Sequence, residues 1–166
     1  MQPIVSGQIV RTYTQTIQAR PDEVFPLLCP VREAEWLDGW AETYELIHSA
    51  SGVAEEGCVF QTWSPDWPTT TWMVTRHDAT TREVEFVRVT EGLFATRLRL
   101  GVQAARERRS TVSIEYIHTP LNEAGRAFLD THYHEAAFQE DMAWWERSMN
   151  HWLDRGEILR AAEGVS

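Results

Sequence analysis

From Ile9 to Ile17 the chain alternates. Ile9, Arg11, Tyr13, Gln15 and Ile17 fall on one side, and the other side carries mostly threonine. A period of two in a β-branched stretch predicts a strand. Pro21 then stands where the first residue of a helix belongs, and Asp22 and Glu23 bring negative charge to its unpaired amides. Pro30 lacks an amide hydrogen and restricts Cys29, so this helix ends before it. Val31 to Leu37 predicts a second short helix, broken at Gly39. Strands are then predicted over Tyr44 to Ala50, Cys58 to Trp63, Thr69 to His77, Arg82 to Thr90, Leu93 to Gln103 and Ser110 to His118. Gly52, Gly57, Ser64-Pro65-Asp66, Glu91-Gly92 and Arg106-Glu107-Arg108-Arg109 supply the turns. Even spacing with short turns implies one antiparallel sheet.

After Thr119-Pro120-Leu121 the period changes. Phe128, Phe138, Met142, Trp145, Met149 and Trp152 recur mostly at intervals of three or four, and the alanines between them favour helix. The pattern predicts one helix from Asn122 to about Arg155, with Gly125 marking close packing or a ragged first turn and Gly156 the stop. A helix of that length needs a broad sheet to cover its apolar stripe. The expected class is therefore α+β: a curved, seven-stranded antiparallel sheet around a long C-terminal helix, with two short helices after the first strand.

Composition narrows the functional classes. A chain of 166 residues with 43% hydrophobic and 24% charged residues suits a single globular domain, with its core over about 8–156. The formal net charge of −10 repels phosphate backbones and anionic lipid surfaces, so no nucleic-acid partner is expected, and no apolar run is long enough to cross a bilayer, so membrane insertion is not expected either. The start, Met1-Gln2-Pro3-Ile4-Val5, lacks a basic and then apolar pattern, and a cytoplasmic protein is the simplest expectation. Cys29 and Cys58 form no CxxC pair and read as small buried hydrophobes, with a bridge between them left open.

The segment Ala19-Arg20-Pro21-Asp22-Glu23-Val24-Phe25-Pro26-Leu27-Leu28 carries a family resemblance, as do Cys29-Pro30-Val31-Arg32-Glu33 with Trp36 and Trp40, and Leu121-Asn122-Glu123-Ala124-Gly125-Arg126-Ala127-Phe128-Leu129. Together with the order of elements over residues 8–156, they resemble the START-related SRPBCC, or polyketide cyclase/dehydrase-like, family of the Bet v 1-like helix-grip fold, in a bacterial subgroup of uncharacterised members. The resemblance implies a cavity between sheet and long helix, which in different members binds lipids, steroids, polyketides or plant hormones. Only some members are enzymes, and no short catalytic motif of theirs can be laid on this chain. Fold alone does not supply a reaction.

Candidate site residues follow from where side chains would meet such a cavity. Trp36 and Trp40 flank the short-helix region, and Trp63, Trp67 and Trp72 surround a strand connection; they form either an aromatic rim for a planar ligand or the seals of a core. Phe94, Thr96, Leu98, Leu100 and Val102 share one face, as do Val112, Ile114, Tyr116 and His118, and both faces are expected to be concave. Tyr13 joins them from the first strand. Arg88 shares a face with Val84 and Phe86 and is either a charged anchor or half of a buried salt bridge, while Arg32 and Glu33 are expected to pair. Trp144 could face the cavity or a partner chain, which leaves a homodimer open.

Three functional readings follow. The first is binding of a small apolar or amphipathic organic ligand, lipid-like, aromatic or polyketide-like, by Tyr13, Trp36, Trp40, Trp67, Trp72, Arg88, Phe94, Leu98, Tyr116 and His118. The second is a cyclase or dehydratase-like enzyme with His118 as general base and Tyr116 or Arg88 stabilising an enolate oxygen; a histidine suits the task because its pKa lies near neutrality. The third is a protein-interaction or chaperone-regulator module. No cofactor or metal is expected, because His132 and His134 diverge on a helix, HExxH is absent, and no GxGxxG, GxxxxGK[ST] or GxSxG occurs.

Overall fold

The computed structural model describes residues 7–162. Strand β1 (Ile9–Ile17) leads to α1 (Pro21–Val24), a 3-10 turn over Phe25–Leu27, and α2 (Pro30–Trp36). An uninterrupted meander follows: β2 (Tyr44–His48), β3 (Val59–Ser64), β4 (Trp67–Asp78), β5 (Glu83–Thr90), β6 (Phe94–Ala104) and β7 (Ser110–Pro120). The chain closes with α3 (Glu123–His132) and α4 (Glu135–Arg155).

All seven strands form one antiparallel sheet in the order β1-β7-β6-β5-β4-β3-β2. Strands β1 and β2 are consecutive in the chain yet lie at opposite edges, so α1 and α2 have to bridge the sheet from one edge to the other. Register irregularities at Thr62/Ser64 in β3 and Val74/Arg76 in β4 bend the strands. The period of two holds through the long strands: Val84, Phe86, Arg88 and Thr90 are buried on β5, and Phe94, Thr96, Leu98, Leu100 and Val102 on β6. Arg97 and Arg99 face outward.

Helix α4 lies along β1 and covers its open edge. Gln139 donates to the Thr12 carbonyl, Glu146 accepts from the Thr16 amide, and Asn150 binds both the Thr16 carbonyl and the Gln18 amide. An edge strand is thereby paired by side chains instead of being left open to another chain. Inside, Phe138, Met142 and Met149 bury the helix's apolar stripe.

The stretch expected as one helix over 122–155 is two. Tyr133 leaves helical geometry, and His134 is extended (φ −64°, ψ 159°), with its Nδ1 accepting from the Ala137 amide at 3.3 Å to start α4. Thr131-His132-Tyr133-His134 is a run of weak helix formers, which makes this the least costly place to break. Helix α3 is fixed at its start. The Asn122 side chain accepts from the Gly125 amide at 2.8 Å and donates to the Gly92 carbonyl at 2.7 Å. A Cβ on Gly125 would lie 1.8 Å from the Leu93 carbonyl oxygen, so close packing, not a ragged turn, explains that glycine. Cys29 and Cys58 are buried free thiols.

Candidate ligand cavity

A cavity of about 280 Å³ lies between the sheet and α4. Its floor is buried: Phe60 on β3, Trp72 on β4, Phe86 and Arg88 on β5, Leu98 on β6, and Tyr116 on β7. Its rim is partly open, formed by Trp40, Thr62, Tyr133, Asp141 and Trp144. Aromatic rings dominate the walls. Phe60 and Trp72 stack at 5.4 Å with a 10° tilt, Phe86 stands edge-on to both, and the Trp72 indole donates to Thr62 Oγ1 at 2.9 Å.

Arg88 is the floor's only cation among the described lining residues, and it is 8% exposed. Four rings surround its guanidinium: Trp72 at 4.7 Å, Tyr133 at 5.3 Å, Tyr116 at 5.6 Å and Phe94 at 5.8 Å. Each ring face is worth about 0.5–2 kcal/mol to a cation and offsets part of the lost hydration, but a ring face accepts no strong hydrogen bond. Among the described residues the guanidinium makes one hydrogen bond, from Nη2 to the Tyr133 hydroxyl at 3.1 Å, and Nε finds no partner. Among the described residues no carboxylate pairs with it. The buried salt bridge considered for Arg88 does not form.

Glu33 is the second unexpected group. The expected Arg32–Glu33 ion pair is replaced by Arg32–Glu35, with two nitrogen–oxygen contacts of 3.0 and 2.9 Å. One helical turn explains the exchange: Arg32 and Glu35 lie three apart on the exposed side of α2, and Glu33 points the other way. Its carboxyl is buried in the cavity wall, Oε2 has no hydrogen-bond partner, and burial raises its pKa well above the usual carboxylate range. Nearby, Tyr44 stacks on Trp40 at 5.6 Å with its hydroxyl unpartnered, and burial pushes its pKa up to about 12.

Of the residues singled out from sequence, Trp40, Trp72, Arg88, Leu98 and Tyr116 line the cavity. The others do not, for different reasons. Trp36 is fully buried, donates to the Leu27 carbonyl at 3.1 Å and meets Trp145 edge-on at 5.7 Å, so it pins the short helices. Tyr13 is half-buried on β1 where α4 crosses, with burial and then Glu146 raising its pKa. Phe94 packs with Ile9 and Leu129 and backs the guanidinium from behind. Trp67 stays 37% exposed and packs edge-on against Phe128 and Tyr133, outside the cavity wall.

His118 requires the firmest correction. Its side chain is fully buried behind Tyr133 and Tyr116, with ring separations of 4.9 and 5.6 Å, and it does not line the cavity. Nδ1 is bound to Thr96 Oγ1 at 2.8 Å. Burial, with Arg88 and Arg11 beside it, lowers its pKa to about 3, so it is neutral at pH 7 and a weak base. The general-base role assigned to it has no geometric support.

Sequence reasoning passed over Tyr133, Phe60 and the cavity-facing orientation of Glu33. For Tyr133 the readable signal is the run of weak helix formers around it. For Glu33 the readable signal is the i,i+3 spacing of Arg32 and Glu35, which takes Arg32 away from it. Trp144 faces the cavity, and the Arg147 guanidinium covers it at 5.6 Å.

With this geometry in view, the chain can be set beside proteins of known structure. A protein from Thermobifida fusca superposes with a TM-score of 0.65 over 92% of this chain and 99% of its own, at 13% identity. Norcoclaurine synthase from Thalictrum flavum superposes with a TM-score of 0.64 over 90% of this chain and 88% of its own, at 10% identity. The fold is the Bet v 1-like helix grip. DynU16, a protein of the dynemicin biosynthetic locus, shares it with a TM-score of 0.58 and 13% identity over 89% of this chain, and the chain spans 48% of DynU16's length. No protein-family model matches the sequence, and no curated protein matches it. These Bet v 1-like neighbours fix the fold and leave the ligand to be argued from the cavity's own residues.

Proposed function

We propose that this helix-grip protein binds a small amphipathic organic anion: a planar or aromatic body among Phe60, Trp72 and Phe86, with a carboxylate, enolate or phenolate oxygen at Arg88. One observation carries the reading. A guanidinium is always charged, and this one is buried, caged by rings and matched by no carboxylate. Leaving a buried charge uncompensated costs several kcal/mol by order of magnitude, so the unpaired Nε is best explained by a partner that arrives with the ligand. Tyr133 Oη already accepts from Arg88, which leaves its own hydrogen free to donate to the same oxyanion. Apolar walls with a few directing polar groups are the usual composition of a small-molecule site.

Binding is preferred to cyclase or dehydratase activity because the proposed base, His118, is walled off from the cavity. Fluorescence titration with 2-naphthoate tests the reading. Arg88→Met should weaken binding by about thirtyfold, the equivalent of about 2 kcal/mol for a lost charge-assisted hydrogen bond. It should leave the neutral 2-acetylnaphthalene unaffected, and circular dichroism should show the variant folded. Equal affinity of wild type and variant for 2-naphthoate would overturn the proposal.

A further inference from the structure

The cavity has a second polar pole, at Glu33. Arg88 and Glu33 border the same space and carry complementary chemistry, yet they do not pair with each other. Elsewhere this chain pairs its carboxylates readily, as in Arg99–Glu85 at 2.8 Å and Arg76–Glu83 at 2.8 Å. A core without a ligand would bring such groups together or replace them with apolar ones, because isolated buried polar groups are expensive. Here each keeps one buried atom unmatched, Nε of Arg88 and Oε2 of Glu33, and both residues line the same largely aromatic cavity.

We infer that the ligand is two-ended, with an anionic oxygen at Arg88 and a neutral hydrogen-bond acceptor, such as a ketone or ether oxygen, that receives the proton of the Glu33 carboxylic acid. This rests on the anion-binding reading above and adds the far end of the ligand. The protonated form is the consistent one, since Glu33 is buried, forms no salt bridge among the described residues, and burial raises its pKa. A carboxylic acid can donate one hydrogen bond where a carboxylate can only accept. An ammonium group would instead demand the ionised form.

A ladder of rigid probes tests this. Benzoate, 2-naphthoate and biphenyl-4-carboxylate are titrated beside 4-acetylbenzoate, 6-acetyl-2-naphthoate and 4′-acetylbiphenyl-4-carboxylate, which add a ketone at increasing reach. At one length the acetyl group should tighten binding by about five- to tenfold, the size of one good hydrogen bond. Glu33→Gln, still a neutral donor, should keep most of that gain. Glu33→Leu should abolish it, read as the ratio of acetyl to parent affinity within that variant, and circular dichroism checks that the variant is folded. If the parents bind but no acetyl probe gains in a Glu33-dependent way, the second pole is refuted and the Arg88 reading stands. If 4-(aminomethyl)benzoate outbinds 4-acetylbenzoate and loses that advantage in Glu33→Gln, the neutral-donor assignment is overturned in favour of a carboxylate. If none of the carboxylates binds, both proposals fail together.

Discussion

The two ends of the sheet are closed in different ways. At one end the short helices are tied down by their own tryptophans. Trp36 donates to Leu27 within the turn it covers, and Trp40 donates to the Pro30 carbonyl at 2.7 Å. At the other end, closure depends on a helix that stops. Tyr133 sits at the break between α3 and α4 and packs on Phe94, His118 and Trp67 while accepting from Arg88. The hydrogen bonds of the first closure are local, joining residues within ten positions of one another. The second gathers β4, β5, β6, β7 and a helix terminus. Both closures border the cavity, and each leaves a buried polar group unmatched there: Glu33 on α2 in the first and Arg88 in the second.

Three measurements probe that contrast, beginning with the largest effect. Trp36→Ala removes a fully buried indole from the local closure and should cost about 4 kcal/mol in urea unfolding. A loss under about 1 kcal/mol would mean that the short helices are held by something other than this side chain. Gly125→Ala acts on the assembled closure. The new methyl meets the Leu93 carbonyl, so α3 must lift from the β5–β6 turn, at a cost of about 3 kcal/mol. It should also loosen Tyr133 and weaken 2-naphthoate binding, whereas Trp36→Ala should act mainly on stability. The reverse pattern would erase the distinction between the two ends.

The smallest effect is a pH slope. His118 titrates near 6.5 when unfolded and near 3 when folded, so between those values the unfolded chain binds the extra proton. Stability from this group is complete above about pH 6.5 and falls as pH drops, by about 2 kcal/mol at pH 5. Glu33 works in the opposite sense. Its folded pKa is raised, so its contribution is present below its unfolded value and is lost as pH rises through the folded one. His118→Gln should therefore flatten the acid side of the stability profile relative to wild type. An unchanged slope would show that the imidazole is not held neutral.

Much of this molecule could be read from residue order. Alternation specified all seven strands within a few positions, and the period change after Pro120 specified a helical C-terminus. Pro21 marked the start of α1 correctly, whereas Pro30, read as the end of that helix, stands as the first residue of α2. Leu98 and Tyr116 were read on concave faces, Arg88 on the face of Val84 and Phe86, and Trp40 and Trp72 as rim or seal residues, and all five line the cavity.

What the sequence by itself determined is which side of each element is buried, because that depends only on the periods of strand and helix. It also determined the fold class, because apolar faces of those lengths need each other. The tertiary structure alone decided which buried polar groups find partners. Glu33 lost Arg32 to Glu35 one turn away, His118 was closed off behind Tyr133, and Arg88 came to rest among rings with one hydroxyl for company. The Arg32–Glu35 pair follows from helical spacing, whereas the partners of His118 and Arg88 are set by distances of about 3 Å between residues far apart in the chain, which no periodicity encodes.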